Sequence, residues 1–355
     1  VVQGDNAQGK TSLLEAIHML ATGRGIDGTA GRTLIRWGSE SEAPYPYALL
    51  RTLVQRRDGE RLLELILHKD EHDRLRKEVR VDHVVQRTKV LSGQLMTVLF
   101  LPGDVTLASG APSLRREFLD EALTQVDSEY GHALEKYTYA LAQRNALLRQ
   151  AAESGRSIDA DELELWDEQL VTSGVSLILG RYHAIHEMTS IAEQAHLALS
   201  DKRERLHLVY QPSVKSQPQA QAALTEAFYN ALRARRREEI LRGMTLVGPH
   251  RDELRLLVNG MDVGEYGSRG QQRTAVLALK LAQAEWMHQR CSESPVLLLD
   301  EVFAELDPHR RRCLLERIRA YKQVFITTTD MGRLEQSLVT DAQRFIVRSG
   351  VLQPS

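Results

Sequence analysis

The chain has 355 residues, of which 26% are charged and 42% hydrophobic, as in an ordinary globular protein of roughly two to three domains. Its formal net charge of −2 excludes a broadly basic surface, so any contact with nucleic acid must come from local patches. Cys291 and Cys313 cannot form a disulfide scaffold, and no apolar run approaches the roughly 20 residues of a membrane span. We therefore expect a cytoplasmic protein with no signal peptide and no membrane partner.

The N-terminal third predicts a helix followed by an antiparallel sheet. Apolar residues recur at helical spacing over 10–21, directly after a glycine-bearing loop. From about 47 to 100, the runs YALLRTLVQR, RLLELILHK and KEVRVDHVV alternate as strands do, and Asp58-Gly59 joins the first two as a hairpin turn. A β meander is therefore expected, followed by one hydrophobic strand in LMTVLFL.

The middle of the chain is predominantly helical, and the α/β pattern then returns. Over 112–205, apolar residues recur at three- and four-residue steps, which predicts long antiparallel helices with a turn at ESGRSIDAD. RLHLVYQP is a predicted strand and 219–242 a predicted helix. Beyond 244, the strands LRLLVNG, PVLLLDE and QVFITTT alternate with helices over 269–289 and 308–320. We interpret this as one α/β domain, 1–110 and 244–355, interrupted by a helical insertion, 111–243.

The first motif matches the phosphate-binding pattern G-x-x-x-x-G-K-[ST]. Backbone N–H groups in such a loop and the dipole of the following helix both attract phosphate. We therefore interpret the match as a phosphate-binding loop and not as a chance glycine-bearing turn. We predict that Lys10 reaches the β- and γ-phosphates and that Thr11 ligates magnesium. The predicted phosphate contacts are Gly4, Asp5, Asn6, Ala7, Gln8, Gly9, Lys10, Thr11 and Ser12.

The second motif is PVLLLDEVFAELD, in which four hydrophobic residues run into Asp300 and Glu301. On its own this is a buried strand that ends in an acidic turn. With a phosphate loop in the same chain, we predict that Asp300 holds magnesium. Glu301 and Lys10 are the predicted catalytic residues. The carboxylate of Glu301 can orient or deprotonate the attacking water.

The third motif, EYGSRGQQRT, opens an amphipathic helix. Ser268 and Gln271 have the spacing of an N-terminal capping box. The order of phosphate loop, serine-glycine-glutamine helix, acidic strand and ELD turn resembles the ABC ATPase superfamily. That resemblance implies that ATP is also contacted by a second copy of the chain. The implied contacts in trans are Ser268, Arg269, Gly270, Gln271 and Asp307.

A more specific resemblance covers nearly the whole chain. GDNAQGKT, LPGDVTLASGAPSLRREFLDEAL, TLVGPHRDEL, YGSRGQQRT, LLLDEVFAELD and FITTTD are similar to the RecF family of bacterial repair proteins. The resemblance implies an α/β fold, namely a P-loop ABC-type ATPase head of mixed sheet and β meander, interrupted by a helical lobe. It also implies slow, DNA-dependent hydrolysis of ATP with Mg²⁺, and an ATP-dependent homodimer on double-stranded DNA and single-strand/double-strand junctions. The implied partners are RecO, RecR and RecA.

The sequence departs from that family's pattern in three places. The family's strands ahead of the phosphate loop are expected to be absent, because two valines are too few to form that part of the sheet. LFLPGDV offers no glutamine-loop ligand. Where related ATPases have a switch histidine, FITTTD offers only Thr329 or Asp330.

Arginine clusters are the candidate DNA contacts, although solvated helical faces that pair with neighbouring acids would have the same composition. His250 and Arg251 could either support the fold or contact nucleotide. An ATPase subunit of an ABC-type membrane transporter is the alternative function, and the long insertion and SRGQQR speak against it. A chromosome-structuring ATPase would need far longer arms. The candidate DNA contacts are Arg115, Arg116, Arg235, Arg236 and Arg237.

Overall fold

The structure is a computed structural model that describes residues 1–26, 34–36, 38, 46–70, 72, 74–154, 159–215, 221–334 and 342–355. Its strands are β1 Val2–Gln3, β2 Tyr47–Arg56, β3 Gly59–Lys69, β4 Leu75–Val81, β5 Val84–Gln86, β6 Thr97–Phe100, β7 Leu206–Gln211, β8 Glu253–Val258, β9 Met261–Asp262, β10 Val296–Asp300, β11 Val324–Thr328, β12 Phe345–Arg348 and β13 Val351–Pro354. Its helices are α1 Lys10–Thr22, α2 Thr106–Ser109, α3 Pro112–Val126, α4 Ser128–Ser154, α5 Ala160–Leu199, α6 Gln221–Arg242, α7 Val263–Tyr266, α8 Arg269–Cys291 and α9 Pro308–Ile318.

The chain forms two compact units. Unit 1 comprises Val1–Asp104, Ala198–Ser200 and Gln283–Ser355, and unit 2 comprises Val105–Leu197 and Asp201–Ala282. Residues 244–282 thus group with the helical segment, because β7 pairs with β8 across the intervening helix α6. The assignment of 1–110, 111–243 and 244–355 to lobes stays a prediction.

Unit 1 contains a six-stranded sheet in the order β13-β12-β1-β11-β10-β6. The five strands from β12 to β6 are parallel, and β13 is antiparallel to β12. The expected absence of strands ahead of the phosphate loop does not hold for Val2–Gln3, which form the short strand β1 and pair with both β11 and β12. Since the carboxyl ends of parallel strands meet at one edge, the residues that follow β1, β11 and β10 become neighbours there.

The predicted meander is a four-stranded antiparallel sheet, in the order β2-β3-β4-β5. Leu63, Leu65 and Leu67 alternate along β3 and are fully buried, packed in one cluster with Met19 and Leu20 of α1. The run KEVRVDHVV, expected as one strand, is divided into β4 and β5. The division falls at residues 82–83, which both have positive φ and form a tight turn.

Unit 2 is built from α2 to α7, with α5 up to Leu197, the β7-β8-β9 sheet and the part of α8 up to Ala282. Its helical core contains Arg144 and Arg181, which are 0% and 2% exposed. Charges at such burial are tolerated only when they are paired and hydrogen-bonded. Arg144 donates to Asp167, Glu239 and Thr245, and Arg181 donates to both carboxylate oxygens of Asp120 and to the carbonyl of Pro249.

The run GPHRDEL supports the fold of unit 2. His250 Nδ1 lies 2.6 Å from the Tyr137 hydroxyl, and His250 Nε2 lies 3.1 Å from the Thr245 carbonyl oxygen. Burial lowers the pKa of His250 to about 4, so the imidazole is neutral at neutral pH. Gly248 has a φ of +131°, and a Cβ there would meet the Tyr137 hydroxyl at 2.5 Å. These contacts favour the structural interpretation of His250.

No helix within the described ranges is long and apolar enough to cross a membrane.

Candidate active site

The phosphate loop lies in unit 1, between β1 and α1, and its path explains its glycines. The Gly4 N–H donates to the Thr328 carbonyl at 3.2 Å, which ties the loop to the end of β11. A Cβ on Gly4 would lie 2.7 Å from the Val347 carbonyl oxygen, so no larger residue fits. Gly9 has a φ of +102° and Ala7 a φ of 61°, so two loop residues adopt the left-handed conformation. The loop therefore turns sharply before α1, and Gly9 is the N-cap of that helix.

Lys10 is 5% exposed and folds back over the loop. Its Nζ donates to the carbonyl oxygens of Gly4, at 2.8 Å, and Asp5, at 3.0 Å. The same Nζ lies 3.1 Å from Oε1 of Glu301. Two of the three ammonium donors thus bind loop carbonyl oxygens, and the contact with Glu301 is an ion pair. The predicted catalytic lysine and glutamate are thus in direct contact.

Asp300, at the carboxyl end of β10, is held by hydroxyl groups on both of its oxygens. Thr11 Oγ1 donates to Asp300 Oδ2 at 2.8 Å, and Thr327 Oγ1 donates to Asp300 Oδ1 at 2.6 Å. Asp300 is only 5% exposed. The two predicted metal ligands, 289 residues apart in sequence, are therefore adjacent.

Glu301 follows Asp300 in a left-handed backbone conformation, with a φ of 51°. Its backbone N–H donates to Thr327 Oγ1 at 3.1 Å. Its side-chain Oε2 accepts from the Thr329 N–H at 3.2 Å, and 21% of the side chain is exposed. Glu301 is held at its backbone and at its carboxylate while remaining reachable by a water molecule.

The oxygen donors of Asp300 and Thr11 suit magnesium, which proteins bind through one or two carboxylates together with substrate phosphates. Within the described part of the chain, no group of three or more His, Cys, Asp or Glu residues could hold a metal ion alone. The donor set therefore fits a metal that is shared with a nucleotide better than a metal caged by protein.

The predicted trans contacts lie in unit 2, except for Asp307. The Ser268 N–H donates to Gln271 Oε1 at 2.9 Å, and the Gln271 N–H donates to Ser268 Oγ at 3.3 Å. This is the capping box that the spacing predicts. Ser268, Arg269 and Gly270 are exposed. The cap thus fixes the start of α8 and leaves its first turn accessible.

Asp307, in unit 1, is the N-cap of α9. Its side chain accepts from the Arg310 N–H at 2.9 Å and pairs with the Arg310 guanidinium at 2.7 Å. Partial burial opposes ionisation, but these bonds to Arg310 outweigh it and lower the pKa of Asp307. Its role in trans stays a prediction.

The two candidate DNA contacts on α3, Arg115 and Arg116, both form hydrogen bonds within unit 2. Arg115 is 8% exposed and forms two hydrogen bonds with Glu253, at 2.6 and 2.7 Å. A buried guanidinium held by two hydrogen bonds to one carboxylate is not available to a phosphate, so the prediction that Arg115 contacts DNA does not fit the structure. Arg116 is half-buried and donates to the Asp252 carbonyl at 2.9 Å.

The candidates on α6 differ among themselves. Arg236 donates to the buried carboxylate of Asp167 at 2.6 Å and so joins α6 to α5. Arg235 is exposed and pairs with Glu238 at 2.6 Å. Arg237 is exposed. Arg235 and Arg237 are therefore the members of this cluster that remain accessible.

Sequence reasoning missed Thr327 and the contact that holds Gln8. The Ser349 N–H donates to Gln8 Oε1 at 2.6 Å, and the Gly350 N–H donates to the Gln8 carbonyl at 3.0 Å. Thr329 and Asp330 are the two candidates for the position of the switch histidine. The backbone N–H of Thr329 donates to the Glu301 carboxylate, whereas the Asp330 side chain accepts from the Gly332 N–H and caps the following turn. A polar residue at the end of a buried strand was the one available signal for Thr327.

Comparison with known proteins places this geometry in a family. The family model described as RecF/RecN/SMC N terminal domain matches residues 1–349. A DNA replication and repair protein RecF of Chloroflexus aggregans is 41% identical over 364 residues, covering 99% of this chain and 93% of that protein.

Solved structures agree with the sequence relatives. One described as the recombination mediator protein RecF-ATP in the RecFOR pathway has a TM-score of 0.87 at 31% identity, covering 100% of this chain and 90% of its own. A Smc head domain from Pyrococcus furiosus shares the fold, with a TM-score of 0.53 at 16% identity, over 100% of this chain and 88% of its own. The mixed sheet, the meander and these neighbours confirm the predicted ABC-type ATPase head with a helical lobe. The chain therefore belongs to the RecF family of DNA replication and repair proteins.

Proposed function

We propose that this chain is an ATP-dependent DNA-binding protein of recombinational repair and replication-fork maintenance, acting in the cytoplasm. The observation that carries the proposal is the convergence of Lys10, Thr11, Asp300 and Glu301 at the carboxyl-end edge of the parallel strands β1, β11 and β10. Phosphoryl-transfer sites need a cationic phosphate contact, magnesium ligands and a residue that orients water. The four side chains supply all three.

In this proposal the chain's own residues bind and orient the nucleotide. The loop amides and the start of α1 attract the phosphates, and Lys10 exchanges its carbonyl partners for phosphate oxygens. Thr11 and Asp300 would hold Mg²⁺, which would supply positive charge to the nucleotide phosphates. Glu301, anchored by the Thr329 N–H, orients the water and accepts its proton. Hydrolysis is slow and serves release.

The second half of the proposal is an ATP-dependent homodimer on DNA. The exposed first turn of α8 presents Ser268, Arg269 and Gly270 for the γ-phosphate bound to another copy. Hydrolysis then removes the contact that holds the dimer closed. We further propose double-stranded DNA and its junctions with single strands as the ligand, contacted through arginines such as Arg235 and Arg237. RecO, RecR and RecA are the proposed partners, in loading RecA.

Lys10→Arg tests the ATP link. The planar guanidinium cannot take the place of an ammonium held between two loop carbonyls and Glu301, so nucleotide-dependent behaviour is expected to disappear. Duplex DNA affinity is measured with and without ATP. For wild type, ATP is expected to tighten DNA binding at least about tenfold, and for Lys10→Arg by less than about twofold.

The control for Lys10→Arg is Lys322→Arg, the same substitution at an exposed position of unit 1, which is expected to behave as wild type. If wild-type protein binds duplex DNA equally with and without ATP, the repair function as proposed is wrong.

Ser268→Arg tests the contact in trans. The larger cationic side chain would obstruct a closed interface, and it leaves the residues of the phosphate loop, which belong to unit 1 whereas Ser268 belongs to unit 2, unchanged. ATP affinity is expected to stay within about twofold of wild type, while the ATP-dependent dimer, followed by light scattering, is lost. Ser268→Ala removes the hydroxyl without adding bulk or charge, and so separates loss of the hydroxyl from obstruction of the interface. If Ser268→Arg loses ATP binding instead, the serine is only a helix cap.

A further inference from the structure

Thr327 lies at the carboxyl end of β11 and contacts both Asp300, the last residue of β10, and Glu301, which follows it. We propose that Thr327 is a positioning residue for hydrolysis. Its hydroxyl orients the Asp300 carboxylate so that the opposite oxygen faces Thr11, and it fixes the backbone turn that carries Glu301. The inference rests on the proposed ATPase function and assigns a role to a residue outside the phosphate loop and the acidic motif.

The hydrogen-bond inventory of the hydroxyl supports this role. A threonine hydroxyl has one hydrogen to donate and two lone pairs that accept. The 2.6 Å distance to Asp300 Oδ1 is that of a charge-assisted O–H···O⁻ bond, whereas the Leu299 carbonyl, at 3.5 Å, is too distant to compete. The lone pairs then accept the Glu301 N–H at 3.1 Å. One hydroxyl therefore joins a carboxylate oxygen and a backbone amide.

The backbone of Glu301 needs such a restraint. Its φ of 51° lies in the left-handed region, which non-glycine residues seldom adopt unless their surroundings impose it. Two hydrogen bonds at the end of β11 impose this conformation. The Glu301 N–H donates to the Thr327 hydroxyl, and the Thr329 N–H donates to the Glu301 carboxylate. Without the hydroxyl, the Glu301 amide has no partner at this turn, and Asp300 Oδ1 loses its donor.

Sheet register places Thr327 at the centre of the site. Thr327 pairs with Val2 on one side and with Asp300 on the other, so it links the strand that enters the phosphate loop to the strand that carries the acids. It is 1% exposed. A valine occupies nearly the same volume and suits a strand equally well, so Thr327→Val removes chiefly the hydroxyl.

The test compares Thr327→Val with Thr327→Ser and Thr328→Val. Serine keeps the hydroxyl. Thr328 is also buried, but its hydroxyl contacts the backbone of Asp330 rather than Asp300 or Glu301. The first readout is the affinity for a non-hydrolysable ATP analogue, titrated with Mg²⁺ and measured without it. The second is the separation of kcat from KM.

For Thr327→Val, Mg²⁺-free analogue affinity is expected within about twofold of wild type. The Mg²⁺ concentration for half-maximal tightening is expected to rise by about 10–100-fold, and kcat to fall by a similar factor, as for lost outer-shell partners of metal ligands. KM at saturating Mg²⁺ is expected to change little. Thr327→Ser restores most of both quantities, and Thr328→Val resembles wild type.

Two results overturn the inference: a Thr327→Val protein with wild-type Mg²⁺ dependence and kcat, or an equal loss in Thr328→Val. Thr327→Cys, which keeps a small side chain with a weak donor, is measured instead if the valine variant folds poorly. If wild-type protein binds the analogue without any Mg²⁺ dependence, the proposed ATPase function fails, and this inference fails with it. The Mg²⁺ dependence of the wild-type protein therefore distinguishes a failure of the proposed ATPase function from a failure of the role proposed for Thr327.

Discussion

Glu301→Gln is expected to hold an ATP-bound dimer closed while hydrolysis falls by about 10²–10⁴-fold, the usual contribution of a general base. The substitution is clean because the glutamine carbonyl oxygen can still accept the Thr329 N–H that anchors Glu301 Oε2. The substitution removes the carboxylate, which can accept a proton from water, and replaces it with a neutral amide, which cannot. Lys10, now 3.1 Å from Glu301 Oε1, loses an ionic competitor to phosphate, so ATP affinity is expected to be equal or higher.

The measurement is single-turnover hydrolysis alongside the lifetime of the ATP-dependent dimer. Glu305→Gln, an exposed glutamate in the next turn of the chain, is the control and is expected to hydrolyse ATP as wild type does. If Glu301→Gln stays monomeric with ATP while retaining nucleotide affinity, the dimer does not depend on unhydrolysed ATP. If its hydrolysis rate lies within about threefold of wild type, Glu301 is not the base.

Local periodicity is the reason why the secondary structure could be predicted from the sequence. β2, expected over YALLRTLVQR, has the bounds Tyr47–Arg56, because alternation between a half-buried and an exposed face identifies a strand over ten residues. β1 has two residues, so no period can appear in it, and it exists only because β11 and β12 pair with it on both sides. Tertiary pairing, rather than propensity, forms that strand.

The same distinction holds for the site. Lys10, Thr11, Asp300 and Glu301 were predictable because each stands in a motif whose residue types follow from phosphate and metal chemistry. Thr327 carries no such pattern. It matters through one hydroxyl whose partners are 26 and 27 residues away and meet it only when β10 and β11 pair. A single sequence does not show such a contact.

The arginines show the opposite error. In the sequence, Arg115 and Arg236 are members of basic clusters, which suggested a surface that faces DNA. In the structure they pair with Glu253 and Asp167, acids that lie 138 and 69 residues away. A cluster of arginines in the sequence indicates a solvated or phosphate-binding face only when no acidic residue distant in sequence pairs with them. Such ion pairs become visible only in the folded structure.

Arg144→Met is expected to lower the free energy of unfolding by about 3–5 kcal/mol, the cost of removing one partner from a buried ion-pair network. The guanidinium is fully buried and donates to Asp167 at 2.7 Å, Glu239 at 2.7 Å and Thr245 at 2.9 Å. Methionine fills much of the volume but leaves the Glu239 carboxylate, also fully buried, without its counter-charge.

Chemical denaturation of Arg144→Met and of Arg149→Met measures the effect. Arg149 lies on the same helix, α4, but is exposed, so its substitution is expected to cost less than about 1 kcal/mol. Because the cost arises from an unpaired charge, adding Glu239→Gln to Arg144→Met should recover at least about 1 kcal/mol relative to the sum of the two single variants. Strict additivity would mean that helix packing, and not this buried network, holds α4 against α6 in unit 2.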